Sequence, residues 1–489
     1  MTRTGAALRL ELRVQWRYRI PAVAAVLTLV WTLALLAMPA SLARGAGPVI
    51  LTLDTATFGS FFIAALFLFE RGEGALAALS VSPLRFGEYL GVKVASLTGL
   101  SVGSAIPITL AAGRGQANLG LVLTAVGLTS VLVLLLNFAL VVRHHTITGF
   151  LTVAPLALVP LVAVPLVHLT GLATHPVLFV VPTTGAAEVI AAGLNPAMPL
   201  APGRAVVLLG YLVLAIAAAV VAARRSFRHE LLLPRRVRPP RQRRHRPRSR
   251  PSGWLAALVH IDLQTTRRSA LLIVVLAGPI LLATALRLGY PPLTDYLHGR
   301  FAVDLAAYQP VLLAALVVLH VPLILGMVGA LLILDDIDDR TVLILRISPV
   351  TAARYLAYRA ISVAAAALLT LIVAVPVSGL APLVPTLLPA LVLAAAQAPL
   401  ITLATAALAG NKVEGLAWLK ILALIPTGIA VAIWWLPTPA QWPLRILPHY
   451  WTVDTLWHPT LPALLAGTAL TALATALLAR HTLHRLTRG

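Results

Sequence analysis

Glu70 to Lys93 reads ERGEGALAALSVSPLRFGEYLGVK, and Asp336 to Arg359 reads DIDDRTVLILRISPVTAARYLAYR. Glu70 and Asp336 lie 266 positions apart, and the same offset pairs Glu73 with Asp339, Leu79 with Leu345 and Ser82-Pro83 with Ser348-Pro349. It goes on to pair Tyr89-Leu90 with Tyr355-Leu356 and Lys93 with Arg359. Each stretch joins the end of one long apolar run to the start of another. Working outward, Gly149 meets Gly415, Pro160 meets Pro426 and Pro182 meets Pro448 at the same spacing. The chain reads as a duplication.

The composition says what is duplicated. Of 489 residues, 59% are hydrophobic and only 11% charged, with a mean hydropathy of +0.92. A soluble domain carries roughly a quarter charged residues. Apolar runs of about twenty residues recur, each long enough to span a bilayer as a helix. The fold class expected is therefore an all-α polytopic membrane protein. The opening MTRTGAALRLELRVQWRYR is too charged for a cleaved signal, and no convincing A-x-A-like site follows the first span. There is no cysteine, which excludes disulfide and thiol chemistry. Arginine far outnumbers the three lysines, Lys93, Lys412 and Lys420, in keeping with a high-GC bacterial genome.

Hydropathy predicts six spans in residues 1–223: Ile20 to Pro39, Val49 to Phe69, Tyr89 to Ala112, Leu119 to Val142, Ile147 to Val167 and Ala205 to Ala223. Residues 254–489 give six more: Ala270 to Leu288, Val311 to Leu334, Tyr355 to Val375, Leu387 to Ala409, Gly415 to Leu436 and Leu461 to Leu478. Before the first span, Leu8, Leu10, Leu12 and Val14 alternate with Arg9, Glu11, Arg13 and Gln15, a strand-like period. A lone strand at a membrane surface has no partner for its backbone, so an interfacial elbow helix is the better reading. Ile261-Asp262-Leu263 echoes Leu10-Glu11-Leu12 ahead of the second half.

Charge sets the orientation. With both termini cytoplasmic, all of the 38 Lys and Arg fall inside except Arg44, Arg114, Arg204, Arg287, Arg300 and Arg445. This implies a multi-pass protein of the bacterial cytoplasmic membrane. The halves are joined over residues 224–253 by RRSFRHELLLPRRVRPPRQRRHRPRSRPSG, which is read as a basic cytoplasmic linker suited to anionic head groups. It lacks the interleaved aromatics and surrounding fold that nucleic-acid binding would use.

The two repeated stretches read as cytoplasmic handles. Each has an acidic start (Glu70 and Glu73; Asp336 and Asp339), which suits a helix dipole. Apolar residues at helical spacing follow, Leu76 and Leu79 or Val342 and Leu345. Ser82-Pro83 and Ser348-Pro349 then read as N-cap and first turn of the next helix. An apolar knob ringed by charge suits a groove on a partner; an ordinary capped loop is the plainer alternative. No G-x-x-x-x-G-K-[ST] occurs, so any ATP-driven motor is a separate polypeptide.

A short helix of the type E-x-x-x-G-x-L-x-x-L-x-x-S-P-x-x-x-x-x-Y-L after the second span resembles the type-two ABC exporter permeases, also called type V exporters. So does Asn411-Lys412-Val413-Glu414-Gly415-Leu416-Ala417, which resembles the actinobacterial drug-export permeases, the fluoroquinolone-export group among them. The first half carries Thr146-Ile147-Thr148-Gly149 there, keeping only the glycine. The resemblance spans nearly the whole chain as two fused permease units related by a pseudo-twofold axis. It implies two copies of a P-loop ABC ATPase, or a heterodimer, binding ATP and Mg2+ beneath the membrane. It also implies that Glu70 to Pro83 and Asp336 to Pro349 are the coupling helices, and that the cargo is a hydrophobic or amphipathic small molecule.

Polar residues inside the spans are few. Asp54 corresponds to His320 at the repeat offset, and ionisable groups at that depth commonly face a cavity or partner. The pair is a candidate for the substrate pathway; wetting near the outer interface is the alternative. Asn137 and Gln397 are the other pathway candidates, against a role in interhelical hydrogen bonding. No histidine arrangement has zinc-ligand spacing, and no Ser-His-Asp or paired-carboxylate constellation is found, so no catalysis is assigned to this chain. A proton-coupled transporter with six plus six helices is the rival within transport; a polytopic membrane enzyme or scaffold is the rival outside it.

Overall fold

The protein is described by a computed structural model covering residues 3–75, 85–144, 147–171, 173–197, 200–232, 270–301, 304–338 and 350–488. These residues are helical throughout, with no strand among them. Among the described residues, ten helices are long and apolar enough to cross a membrane. Of the twelve spans expected, the fifth falls on Ile147–Leu169, where Ala157–Leu169 forms a shorter apolar helix. The seventh falls on Ala270–Phe301, which is helical over its length. The chain forms two compact units, Met1–Arg243 and Arg244–Gly489.

Unit 1 begins with α1 (Arg3–Arg17) and α2 (Ile20–Ala37), joined through Arg19 in the left-handed region at φ 57°. The strand-like alternation before the first span is a helix. Its polar Glu11 and Gln15 are buried, whereas Leu10 is 63% and Trp16 75% exposed. Such inverted amphipathicity suits an apolar exterior. Next come α3 (Ala40–Gly72), α4 (Phe86–Gly113) and α5 (Leu119–Val141). They are followed by α6 (Ile147–Leu169), a short α7 (Pro182–Leu194) and α8 (Pro202–Leu232). α8 carries helix into the first part of the expected linker. There Phe227 stacks on Phe86 with centroids 4.1 Å apart. The remainder of that linker, 233–253, lies outside the described residues.

Unit 2 comprises α9 (Ala270–Phe301), α10 (His320–Asp338), α11 (Ala352–Ser378), α12 (Leu388–Ala395) and α13 (Gln397–Leu408). It ends with α14 (Lys412–Trp435), a short α15 (Pro448–Trp457) and α16 (Leu461–Arg488). Five π-helical residues, Ala314–Val318, precede His320.

Two devices hold these bundles together. Arginines satisfy the carbonyls that a helix C-terminus leaves open. Arg114 Nη2 donates to the carbonyls of Leu35, Leu36 and Met38 at 3.1, 2.9 and 2.8 Å. Arg485 Nη1 donates to those of Ala406, Ala407 and Ala409 at 2.9, 2.8 and 2.9 Å. Small residues set helix spacing. At Gly326 on α10, a Cβ would lie 2.7 Å from the Ala398 carbonyl oxygen and 2.9 Å from Ile401 Cβ. Thr402 Oγ1 donates to the Gly326 carbonyl at 2.9 Å across the same contact. A backbone carbonyl cannot swing aside as a side chain can. Gly326→Ala is therefore expected to cost about 2 kcal/mol through overpacking. Gly91→Ala, with open space around it, is expected to gain up to about 1 kcal/mol from helix propensity. Thermal unfolding in detergent, read on both variants, checks the contrast.

His449 in the first turn of α15 is buried, and neither ring nitrogen has a hydrogen-bond partner among the described residues. Burial alone pushes its pKa down to about 4. The unfolded imidazole takes up a proton near pH 6.5, the folded one only near 4. Its contribution is therefore complete above pH 6.5 and lost as pH falls toward 4, by up to about 3 kcal/mol. Unfolding midpoints measured between pH 7 and 5 should fall in the wild type and fall less in His449→Phe.

Candidate functional site

Residues 76–84 and 339–349, the tips of the two expected handles, lie outside the described residues. With them lie Leu76, Leu79, Ser82 and Pro83 in the first, and Asp339, Val342, Leu345, Ser348 and Pro349 in the second. What the structure gives is the base of each handle, and the two bases are built alike.

In unit 1, Tyr89, Lys93 and Ser96 share one face of α4 by their spacing of four and three. Glu70 enters from the last turn of α3, and Glu11 and Gln15 from α1. Lys93 Nζ lies 2.6 Å from Glu70 Oε1 and 2.9 Å from Glu11 Oε2, and the lysine is 0% exposed. Tyr89 OH donates to Glu70 Oε2. Gln15 Nε2 donates to Glu11 Oε1 at 3.1 Å and to Ser96 Oγ at 2.7 Å, and Ser96 Oγ donates to the Lys93 carbonyl at 3.0 Å. Three helices meet on one ammonium.

Unit 2 repeats the motif at the same offset. Tyr355 OH donates to Asp336 Oδ2, and Arg359 Nη2 lies 3.5 Å from that oxygen. Arg359 Nε donates to Tyr355 OH at 3.4 Å, and Ser362 Oγ to the Arg359 carbonyl at 3.0 Å. The pair is looser and wetter, the Asp336 side chain being 30% exposed. Asp262, the sequence counterpart of Glu11, lies outside the described residues.

Glu70 and Asp336 thus spend their carboxylates inside the protein. Glu73 follows the C-terminus of α3 and is exposed. Asp54 and His320 are partly buried, Asp54 on α3 and His320 at the start of α10. Asn137 is buried, its Nδ2 donating to the Val133 carbonyl at 2.9 Å, and it lines a 370 Å³ cavity with Arg143 and Pro160. Gln397 Nε2 bonds Thr452 Oγ1 at 3.3 Å and Thr471 Oγ1 at 3.1 Å, tying α13 to α15 and α16. Among the described residues, no group of three His, Cys, Asp or Glu could hold a metal.

The Asn411 to Gly415 stretch is a helix start with a close approach. Asn411 Oδ1 accepts from the Glu414 backbone N–H at 3.0 Å, and Glu414 Oε2 accepts from the Gly410 N–H at 2.7 Å. Both are capping bonds. A Cβ on Gly415 would meet Leu334 Cδ1 at 2.3 Å, so glycine lets α14 press on α10.

The sequence reading left Glu11, Gln15 and the binding role of Lys93 unassigned. The signal was a lysine four residues into an apolar run, which requires a buried counter-charge. Losing one partner of such a pair leaves uncompensated charge in an apolar interior. Lys93→Met is expected to cost about 3 kcal/mol, and adding Glu70→Gln should recover part of it. Arg359→Met, beside a wetter carboxylate 3.5 Å away, should cost less than Lys93→Met. Unfolding of the four proteins in detergent tests the ranking.

Residues 2–233 match the family described as Fluoroquinolones export permease protein family. Residues 262–483 match Fluoroquinolones export permease protein Rv2686c-like. Fluoroquinolones export permease protein Rv2686c of Mycobacterium tuberculosis (strain ATCC 25618 / H37Rv) is 30% identical over 205 residues, covering 42% of this chain and 81% of the relative. Fluoroquinolones export permease protein Rv2687c of the same strain is 37% identical over 186 residues, covering 38% of this chain and 78% of the relative. Each relative is therefore about one unit long. The chain belongs to the fluoroquinolones export permease family, as two permease units joined in a single membrane-protein chain.

Proposed function

We propose that this chain is the membrane subunit of an ATP-driven exporter in the bacterial cytoplasmic membrane. It has twelve spans, six in each pseudo-twofold-related unit, and both termini are cytoplasmic. Two separate P-loop ATPase subunits, binding ATP and Mg2+ themselves, engage the handles over 70–83 and 336–349. The cargo is an amphipathic small molecule of the fluoroquinolone kind that the relatives' names carry.

The observation that supports this reading is the shared carboxylate–tyrosine–cation lock at the base of both handles. Glu70, Tyr89 and Lys93, and likewise Asp336, Tyr355 and Arg359, tie the helix entering each handle to the helix leaving it. A load applied at the handle then moves both helices together. In unit 1 it also moves α1, through Glu11. An ordinary connecting loop has no need of such bracing, and a duplicated one still less.

Purification from the native host tests the proposal. A stoichiometric pair of P-loop subunits with ATPase activity should accompany the wild-type chain. Leu76→Asp with Leu345→Asp should release them without unfolding the permease. A chain that purifies alone and transports under a proton gradient in proteoliposomes would replace this reading with a secondary transporter.

A further inference from the structure

At the end of unit 2 away from its handle, a cavity of about 870 Å³ opens between α14, α15 and the 3-10 segment Thr438–Ile446. That size suits a drug-sized molecule. Trp434, Tyr450, Trp451 and Trp457 form much of its wall. Several of their polar atoms are already used by the protein. Trp451 Nε1 donates to the Arg445 carbonyl at 2.8 Å, Trp457 Nε1 to the Pro310 carbonyl at 3.3 Å, and Tyr450 OH to Gln441 Oε1 at 3.2 Å. The wall is fixed in place and offers ring surface.

Two charges of opposite sign line the same cavity and do not pair with each other. Arg445 lies 5.2 Å from the Trp442 ring centroid and 5.8 Å from that of Tyr450. Its Nε is buried with no acceptor, and no carboxylate pairs with it among the described residues. Among the described residues, the side-chain partner of Asp454 is the exposed His458, its Nδ1 at 3.3 Å. A buried donor without an acceptor requires an explanation, and a guanidinium is well formed to bind a carboxylate.

Unit 1 shows what a closed version looks like. The repeat offset carries Asp454 onto Glu188 and Arg445 onto Phe179. Glu188 is held by Arg204 Nη2 at 2.8 Å and faces His168 Nε2 at 3.6 Å. The cavity there is 490 Å³. There an arginine closes on the carboxylate, whereas Arg445 and Asp454 of unit 2 do not pair with each other.

We propose that the unit 2 cavity binds a planar aromatic carboxylate carrying a basic amine. Arg445 takes the carboxylate, the tryptophan walls take the ring and Asp454 takes the ammonium. Cation–ring contacts at Arg445 and stacking on the walls add to the charge pairing. As a station for cargo, the site rests on the export reading above; as a binding site, it does not.

The test is equilibrium dialysis of norfloxacin, a quinolone acid with a piperazine, and of its methyl ester, against the purified full chain. The wild type should prefer the acid. Arg445→Gln should weaken the acid about tenfold, the scale of one charged hydrogen-bonding partner, and leave the ester within about twofold. Arg445→Lys should restore part of the loss, and Asp454→Asn should weaken both ligands. Glu188→Gln in unit 1 should change neither. Equal binding of acid and ester by the wild type would overturn the site, as would a folded Arg445→Gln that binds like the wild type. If Arg445→Gln does not fold, Asp454→Asn decides: unchanged affinity for both ligands overturns the site. A co-purified ATPase stimulated equally by norfloxacin in wild type and Arg445→Gln would remove this site but keep the exporter. Arg445-dependent binding in a chain that purifies without an ATPase would do the reverse.

Discussion

The ammonium of Lys93 constrains unit 1 more than any other single group. It has no exposure, and an isolated charge in so apolar an interior would lose its proton or unfold its surroundings. Two carboxylates from two other helices prevent that. The end of α3 is thereby fixed against the start of α4. The odd polarity of α1 follows too: Glu11 and Gln15 must turn inward to reach the lysine and Ser96, which leaves Leu10 and Trp16 facing out. Reversing that helix would bury its leucines but strand the lysine.

Unit 2 solves the same problem with different lengths. Aspartate is one methylene shorter than glutamate, and arginine reaches farther than lysine, so the tyrosine hydroxyl keeps its place between them. The substitution changes character as well as reach. Arg359 lies 5.4 Å from the Tyr355 ring centroid and 6.0 Å from that of Tyr358, spreading its charge over aromatic faces as a guanidinium can. The lock of unit 2 is more exposed, and its cation lies farther from the carboxylate, 3.5 Å against 2.6 Å.

The repeat was legible in the sequence because its pairs hold one offset, and the helical membrane class was legible in hydropathy. The lock was not, although all of its core residues were in the quoted stretches. Glu70 reaches Tyr89 and Lys93 across separations of 19 and 23 residues, a pairing that periodicity cannot specify. With no partner in view, an acidic residue beside a loop reads as a contact for another protein. Gln397 was legible as a polar residue in an apolar helix, but only the fold brings Thr452 and Thr471 to it. Asn411 to Gly415 shows the converse. Its capping bonds span three or four residues, so the local sequence alone contained their cause.

Fusion gives a physical reason for the differences between the units. In a symmetric homodimer every substitution appears twice, so an open Arg445 in one half would bring an identical unpaired charge in the other. Joined in one chain, each unit has its own position to change. Unit 1 closes Glu188 with Arg204, while Arg445 and Asp454 of unit 2 line one aromatic cavity without pairing with each other. The duplication preserves the lock at the base of each repeated stretch. It relaxes at the opposite end, where the wall chemistry of one unit has no need to match the other.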